Sequence, residues 1–470
     1  MPGPPGRPEP TPARRQNPIA SLHCPGIAGL RRTPFGATLR LATRGVGAAR
    51  DMPGERLDKI LDRAVADVGP EGRRLTGARA VGPGPGWRAG SREFRWAIGI
   101  VLALLAGYQL AYFVIIATRP SPDPAGDAFY VWIWAKFLIS HPAVEIYDQA
   151  TLKAFQVAHG MNPQAADPFV FPPTIMLVLA PLGALPYRVA YGLAIAASLL
   201  FYLWATVGRE WRSPALLAAL VAPTTTLTIV AGQTGFLSGA LMIGGLRLAT
   251  RQPVLGGVLL GLLTYKPQLG LLVPVALASA GLWRTVAAAG ATVLALVLVT
   301  SAAFGWNIWP DWVFATSAFS GQFAIEAAEL RHLMPTVWAG LLQAGLGPRA
   351  AWAGQAVATL AAAAVVWFCF RRGATPLAIA ALLVGVFLAT PYAFVYDMPV
   401  VATAVIWVVV ERCRSGGTFQ LGEASLLLLG MSLPAVMLAK AIPIPIGAVC
   451  LALLFGSIAR RGLWHATASG

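Results

Sequence analysis

The sequence predicts an all-α, polytopic membrane protein, and its composition and apolar patterning carry this prediction. Of the 470 residues, 56% are hydrophobic and 12% are charged, against about 25% charged residues in an ordinary soluble domain. The mean hydropathy is +0.64. The apolar runs have the length of helices and contain Gly, Pro and small residues, whereas a β-barrel would show short alternating segments. Helices embedded in a membrane are therefore expected along most of the chain.

Residues 1–94 are rich in Pro, Gly, Arg and Ala, which predicts a mostly disordered cytoplasmic arm. The start of this region has low complexity, so Met1 and Met52 both stay open as the initiator. No cleavable signal peptide is evident before the first apolar run near Arg95. Much of the net charge of +16 comes from this arm and from short turns. That placement favours charge that sets membrane topology over binding of nucleic acid.

Residues 95–460 are expected to form the membrane domain, and residues 461–470 a cytoplasmic tail. An arrangement with the arginine-rich turns in the cytoplasm gives about ten to thirteen spans. The expected spans are 95–118, 187–207, 214–231, 235–250, 253–265, 268–283, 285–304, 350–370, 375–391, 396–411, 423–440 and 443–459. Two shorter apolar stretches, 172–185 and 335–346, are expected to be re-entrant or interfacial helices on the outer face.

A lysine interrupts the apolar stretch GLLTYKPQLGLLVP at residues 261–274. A charge at the bilayer centre costs about 2.5–3.5 kcal/mol on insertion scales, so such residues usually have a function. The expected topology places Lys266 in a turn on the outer face, before Pro267, which interrupts helical hydrogen bonding. Two interpretations stay open: a lysine that extends to the lipid headgroups, or a functional charge.

The same topology brings the other unusual polar motifs to the outer face. They are SPDPAGDAFYVWIWAKFL (121–138), EIYDQ (145–149), FVFPP (169–173), AGQTG (231–235), ELRHLMP (329–335) and TPYAFVYD (390–397). Together with the YKPQ turn they predict a polar, aromatic-lined chamber at one membrane surface.

A carboxylate in such a chamber can act as general base toward a hydroxyl acceptor, while Lys, Arg and His can neutralise a lipid-phosphate leaving group. This combination favours sugar transfer from a polyprenyl phosphate. We expect Asp127 to be the base, followed by aromatic residues, Trp134 among them, that anchor it at the membrane interface. Asp123 and Asp148 are lesser candidates. A helix N-cap is the alternative role for Asp127.

Metal chemistry has little support in the sequence. There is no DxD pair to hold a nucleotide sugar through a divalent metal, and the cysteines show no CxxC pairing. We therefore expect no cofactor and no metal. Asp123 and Asp127, four residues apart, nevertheless leave cation binding open.

The order of these motifs resembles glycosyltransferase family 87: an Asp in the first outer loop, a YD pair and a PP pair, then GQ and KP motifs. The family consists of polyprenyl-phosphate-mannose-dependent mannosyltransferases of the membrane-embedded GT-C class. The resemblance covers residues 126–397. It implies a GT-C-like fold, a polyprenyl-phosphate sugar donor, a lipid or glycan acceptor and inversion at the anomeric carbon. It further implies a place in the inner (plasma) membrane, with the site facing the periplasm or exterior.

For individual residues, the resemblance implies that Asp127 abstracts the acceptor proton. It also implies that Lys266, in the KP motif, and Gln233, in the GQ motif, lie near the donor phosphate or sugar.

Four further residues of the outer motifs are candidates with an open role. Arg331 and His332 lie where the family often has an Asn-Gln-Ser element, and we expect them either to contact the phosphate or to be structural. For Asp397, helix capping or an ion pair is favoured over a direct role, and Tyr396 is a lesser candidate.

Two other functions stay open from the sequence. A transporter or flippase would place polar groups at mid-span and show repeated halves, which are not evident here. An O-antigen polymerase or ligase would show a large outer loop with arginines late in the chain, whereas the largest outer loop here is early and acidic.

Overall fold

The computed structural model describes residues 86–118, 126–163, 168–210, 213–326, 330–438 and 445–464. Residues 1–85 of the predicted arm, Asp123 and residues 465–470 of the predicted tail lie outside these described residues.

Within them the chain forms eighteen α-helices and a two-stranded antiparallel sheet. The helices are α1 (Arg92–Thr118), α2 (Gly126–Ser140), α3 (Gln149–Ala158), α4 (Met176–Gly183), α5 (Tyr187–Val207), α6 (Pro214–Val221), α7 (Pro223–Ala231), α8 (Gly235–Leu248), α9 (Pro253–Leu262), α10 (Val273–Ser279), α11 (Trp283–Phe304), α12 (Ile308–Glu326), α13 (Val337–Gln343), α14 (Pro348–Phe370), α15 (Pro376–Ala389), α16 (Pro399–Arg414), α17 (Leu421–Leu438) and α18 (Ile446–Trp464). Short 3-10 helices are Ala143–Tyr147, Pro173–Ile175, Leu263–Tyr265, Pro267–Gly270, Arg331–Leu333 and Val395–Asp397.

Six of the described helices, α1, α5, α11, α14, α17 and α18, are long and apolar enough to cross a membrane. Helices α6 and α7 form a further candidate span with a bend of 50°. The bend falls at Ala222 and Pro223, where the proline lacks a backbone N–H. Helices α8 and α15 are shorter and apolar, as are the segments 253–265 and 267–279. Eleven of the twelve expected spans coincide with one of these helices, pairs or segments, whereas the span expected at 396–411 falls on α16, which is not among these candidates. The prediction of an all-α, polytopic membrane protein is confirmed.

The centre of the bundle is formed by α8 and α15. Every residue of α15 from Ala378 to Ala389 is buried, as are most residues of α8. Helix α9 packs closely on α11 through Gly257 and Gly261, which lie four residues apart on one face. A Cβ atom on Gly257 would lie 2.5 Å from the carbonyl oxygen of Thr285. Small residues at this spacing let membrane helices approach each other closely.

Two regions that were expected to be loops contain helices. The segment between α1 and α4 holds α2 and α3, and the segment after α11 holds α12. The expected interfacial anchor Trp134 is buried instead, with 3% of its surface exposed, and it packs edge-on against Phe169 and Phe171. The reason is that α2 packs along helix α4: a Cβ atom on Gly183 would lie 2.1 Å from the carbonyl oxygen of Ala135.

The start of the described chain also differs from the predicted domain boundary. Residues 86–88, expected in the arm, form strand β1 (Gly86–Arg88), which pairs with strand β2 (Thr418–Gln420). Phe94 stacks on Phe419 at 5.2 Å between ring centres. This packing joins the start of α1 to the segment between α16 and α17.

Candidate active site

Asp127 lies in the first turn of α2, where the positive end of the helix dipole favours a carboxylate. Its Oδ2 accepts a hydrogen bond from Nε2 of Gln233 at 2.8 Å. The side chain of Asp127 is half-buried, so the carboxylate is held but still reachable. The structure thus joins two of the predicted site residues, which are 106 positions apart in the chain.

Gly232 explains how Gln233 reaches Asp127. It ends α7 in the left-handed conformation, with φ of +67°. A Cβ atom at this position would lie 2.2 Å from Cβ of Ala128, the residue after Asp127. Glycine therefore permits both the turn and the close approach of α2 to the GQ motif. This gives the AGQTG segment a physical reason for its glycine-glutamine pair.

Lys266 and Asp397 form a second pair beside the first. Nζ of Lys266 donates to Oδ1 of Asp397 at 2.7 Å, and the side chains are only 4% and 5% exposed. Nζ also lies 5.5 Å from the ring centre of Tyr396. This burial does not fit a lysine that extends to the headgroups, and it fits the ion pair favoured for Asp397.

The chain breaks its helices at Lys266 to make this pair. The 3-10 helix Leu263–Tyr265 ends there, and Pro267 starts the next one, with Lys266 between them at φ −128° and ψ 71°. Tyr265 is fixed on the other side, where its hydroxyl lies 2.7 Å from Oγ of Ser238. The YKP sequence therefore directs a tyrosine and a lysine into the protein from a short non-helical turn.

The two pairs are physically connected. A Cβ atom on Gly235, at the start of α8, would lie 1.9 Å from the carbonyl oxygen of Tyr396. That same carbonyl accepts a hydrogen bond from Oγ1 of Thr228 at 2.9 Å. The GQ segment thus packs directly on the segment that carries Asp397.

The pKa of Asp127 is affected by residues of both pairs, Gln233 and Lys266. Burial raises the pKa of the Asp127 carboxyl above its ordinary value. The hydrogen bond from Gln233 and the positive charge of Lys266 act in the opposite direction and lower the pKa, but burial has the larger effect. Lys266 is therefore close enough for its charge to act on Asp127. The result is a carboxylate that is a stronger base than an ordinary aspartate.

Asp148, a lesser candidate for the base, is a helix cap. Its Oδ1 accepts from the backbone N–H groups of Ala150 and Thr151 at 2.9 and 3.0 Å, at the start of α3, and its side chain is exposed. The preceding Tyr147 is buried and donates to the carbonyl of Phe171 at 2.8 Å. The YD motif therefore ties the segment between α2 and α3 to the FVFPP motif.

Arg331 and His332 lie on a different turn, the 3-10 helix Arg331–Leu333, which packs against α13 and α17. Nε2 of Gln343 donates to the carbonyl oxygen of Arg331. The segment that follows contacts the TPYAFVYD motif: Oγ1 of Thr336 donates to the carbonyl of Pro391 at 3.0 Å. These contacts join the RHLMP motif to the segment of Asp397.

The sequence reasoning missed which residues pair with which. It did not predict that Gln233 donates to Asp127 or that Lys266 donates to Asp397. The expectation that Gln233 and Lys266 lie near the donor stays a prediction. The available signal was the predicted topology, which placed all four motifs on one face of the membrane. Among the described residues no group of three or more His, Cys, Asp or Glu side chains is placed to hold a metal. Because Asp123 is not described, the expectation of no metal and no cofactor stays a prediction.

Comparison with known proteins gives one match. The family model of glycosyltransferase family 87 matches residues 169–395. This range includes Gln233, Lys266 and the RHLMP motif, and it excludes Asp127 and Asp397. No curated protein and no solved structure gives a significant match.

The matched residues run from the FVFPP motif to the start of the Val395–Asp397 turn, and they contain the GQ and KP motifs, whose Gln233 and Lys266 bind Asp127 and Asp397. The match over residues 169–395 supports the assignment of the protein to glycosyltransferase family 87, and it indicates a membrane glycosyltransferase.

Proposed function

We propose that the protein transfers a hexose from a polyprenyl-phosphate donor to a hydroxyl group of a lipid or glycan, with Asp127 as general base. The observation that carries this proposal is the hydrogen bond that holds the half-buried Asp127 carboxylate against Gln233, next to the buried charge of Lys266. A base needs such a fixed orientation and a pKa above that of an ordinary carboxyl group.

In the proposed reaction, the acceptor O–H gives its proton to the Asp127 carboxylate. The acceptor oxygen forms a bond to the anomeric carbon on the face opposite the lipid phosphate. The bond between the anomeric carbon and the phosphate oxygen breaks, and its electron pair leaves with the polyprenyl phosphate. This single in-line displacement inverts the anomeric centre, and no metal takes part in it.

Gln233 would orient the base. Its amide donates to Oδ2 of Asp127, so Oδ1 is left to face the acceptor hydroxyl. Lys266 would act through its charge, because it is buried and held by Asp397. A fixed positive charge near the site stabilises the ionised Asp127 before the reaction and the negative charge that develops on the leaving phosphate. Arg331 and His332 remain candidates for direct contact with that phosphate, and Tyr396 for contact with the sugar.

The finer assignments rest on the family resemblance and on the charge distribution. Mannose is the sugar implied by the resemblance. The site would face the periplasm or exterior of the inner membrane, because this orientation places the arginine-rich turns in the cytoplasm. Reporter fusions after Thr118 and after Arg251 test it: the first is expected to report the outer compartment and the second the cytoplasm. Reversed signals would place Asp127 on the wrong side.

The donor is tested with the purified full chain in lipid nanodiscs. Radiolabelled polyprenyl-phosphate mannose and an extract of membrane lipids and glycans are supplied, with and without a metal chelator. We expect label to enter a lipid or glycan product at the same rate in both conditions. A nucleotide-activated mannose in place of the lipid donor should give no product. Transfer from the nucleotide sugar, or loss of transfer with the chelator, would contradict the proposed donor and mechanism.

A further inference from the structure

A cavity lies at the ends of α5 and α8. Its volume is about 460 Å³, which falls within the range of about 300–1,000 Å³ of small-molecule sites. Three arginines, Arg209, Arg247 and Arg251, line it together with one carboxylate, Glu210.

The cavity is separate from the Asp127 site. The two lie at opposite ends of helices α5 and α8. Helix α5 begins at Tyr187, whose ring packs edge-on against Phe129 of α2, near Asp127. It ends at Val207, which lines the cavity. Its 21 residues span about 31 Å. Helix α8 likewise starts beside Gln233 and carries Arg247 in its last turn. The cavity therefore lies at the other membrane surface of the bundle.

Arg247 is fixed in this cavity. Its Nη1 donates to the backbone carbonyls of Trp204 and Ala205, and its guanidinium lies 5.8 Å from the ring centre of Trp407. Gly208 makes room for it: a Cβ atom there would lie 2.5 Å from Nη2 of Arg247. An arginine that only set the membrane topology would need none of this positioning. Held in one orientation, a guanidinium presents a planar set of donors suited to a phosphate.

The charge of the cavity is positive. Three arginines face one glutamate, and Glu210 is itself paired with Arg414 at 3.2 Å outside the cavity lining. All three arginines are exposed, so each can contact a ligand. Basic pockets between membrane helices at the cytoplasmic side are typical binding places for anionic lipid headgroups.

We propose that this cavity binds the phosphate group of an anionic membrane lipid, with Arg247 as the fixed contact and Arg209 and Arg251 closing over the headgroup. Its acyl chains would lie against the exposed apolar surface beside the cavity, where Trp204 is 37% exposed. This inference does not rest on the proposed transferase mechanism, since it concerns the end of the bundle remote from Asp127.

The test measures lipid binding rather than sugar transfer. The purified full chain, stripped of lipid in detergent, is titrated with phosphatidylglycerol, with phosphatidylcholine or with inorganic phosphate, and bound lipid is counted by native mass spectrometry. We expect phosphatidylglycerol to bind and Arg251→Gln to weaken it about tenfold, as for loss of a charge-assisted hydrogen bond. Arg247→Gln combined with Arg251→Gln should weaken it further. Arg371→Gln, an exposed arginine in the turn after α14, is the matched control with the same change in charge.

Arg251→Gln alone keeps the test valid if Arg247→Gln fails to fold, because Arg251 is exposed. Equal binding by wild type, Arg251→Gln and Arg371→Gln would overturn the proposal. Equal affinity for phosphatidylcholine would also overturn it. Binding of inorganic phosphate as tight as that of phosphatidylglycerol would overturn the assignment to a lipid.

Discussion

The two polar pairs at the candidate site differ chiefly in how far they are sealed from the surroundings. Asp127 and Gln233 are half-buried, while Lys266 and Asp397 are almost completely buried. A group that exchanges a proton with a substrate must be reachable, whereas a charge that only provides an electric field works better when it is fixed and dry. In the proposed mechanism, Asp127 and Gln233 would perform the chemistry, while Lys266 and Asp397 would supply a fixed electric field and stabilise the fold.

The largest effect is expected for Asp127→Asn. The amide keeps the size of the side chain but cannot take the acceptor proton, so turnover should fall about 10²- to 10⁴-fold, as for loss of a general base. Transfer assays in nanodiscs measure this, and the amount of protein in the membrane should stay unchanged. Asp148→Asn is the matched control, since asparagine also caps a helix. Full activity of Asp127→Asn would exclude Asp127 as the base.

Substitution of Lys266, in the buried pair with Asp397, is expected to lower the stability of the protein. Lys266→Ala leaves Asp397 buried without its cation, which typically costs about 3–5 kcal/mol. Thermal unfolding in detergent measures the loss, with the exposed Lys153→Ala as control. Lys266→Arg should keep more activity than Lys266→Ala, because it retains the charge.

The double variant Lys266→Met with Asp397→Leu sharpens this comparison. An apolar pair of similar size removes both buried charges, so it should regain much of the stability lost in Lys266→Ala. Turnover should remain low, because the field on Asp127 is gone. Recovery of turnover together with stability would show that Lys266 has only a structural role.

Gln233→Ala is expected to have an intermediate effect. It removes a hydrogen bond to a charged group, worth about 1.5–3 kcal/mol, so turnover should fall about 10- to 100-fold. The melting temperature should change little, because Asp127 is not sealed from water. Ser238→Ala, which removes a buried hydroxyl partner of Tyr265 in the same region, is a control for general disturbance of α8. An equal loss of turnover in both variants would contradict a specific role for Gln233.

The smallest effect is expected for Asp148→Ala. The loss of an N-cap typically costs about 1 kcal/mol of stability, and turnover should stay within a factor of two or so of wild type. Thermal unfolding and the transfer assay together check this. A large loss of turnover without a loss of stability would return Asp148 to the candidates for the base.

Much of the fold could be predicted because apolar helix-length runs and arginine-rich turns are local signals. The spans starting at residues 187, 214, 235 and 253 begin in the structure at the expected residues. Helix α2 was not recognised as a buried helix, because its aromatic residues suit a membrane interface equally well. The contact of α2 with α4, through Gly183, shows that α2 is buried in the protein. This contact cannot be read from the sequence.

The candidate site was predictable as a set of residues but not as a set of contacts. Lys266 and Asp397 are 131 positions apart, and no periodicity in a sequence relates such residues. The functions of Gly232 and Gly235 depend on the distance to Ala128 and to the Tyr396 carbonyl, which only the assembled bundle defines. The burial of Lys266 likewise follows from packing and not from its place in a turn.

The most direct test of the central claim, that Asp127 is a base tuned by its surroundings, is the pH dependence of kcat/KM for wild type and Gln233→Leu. Burial raises the pKa of Asp127, so activity should be lost on acidification at a pH above the ordinary aspartate value of 3.8. Gln233 lowers that pKa, so its removal should move the loss to still higher pH. Both proteins are assayed with the same substrates, so ionisation of the substrates affects kcat/KM equally in both. An acid limb that stays in place, or moves to lower pH, in Gln233→Leu would contradict the account.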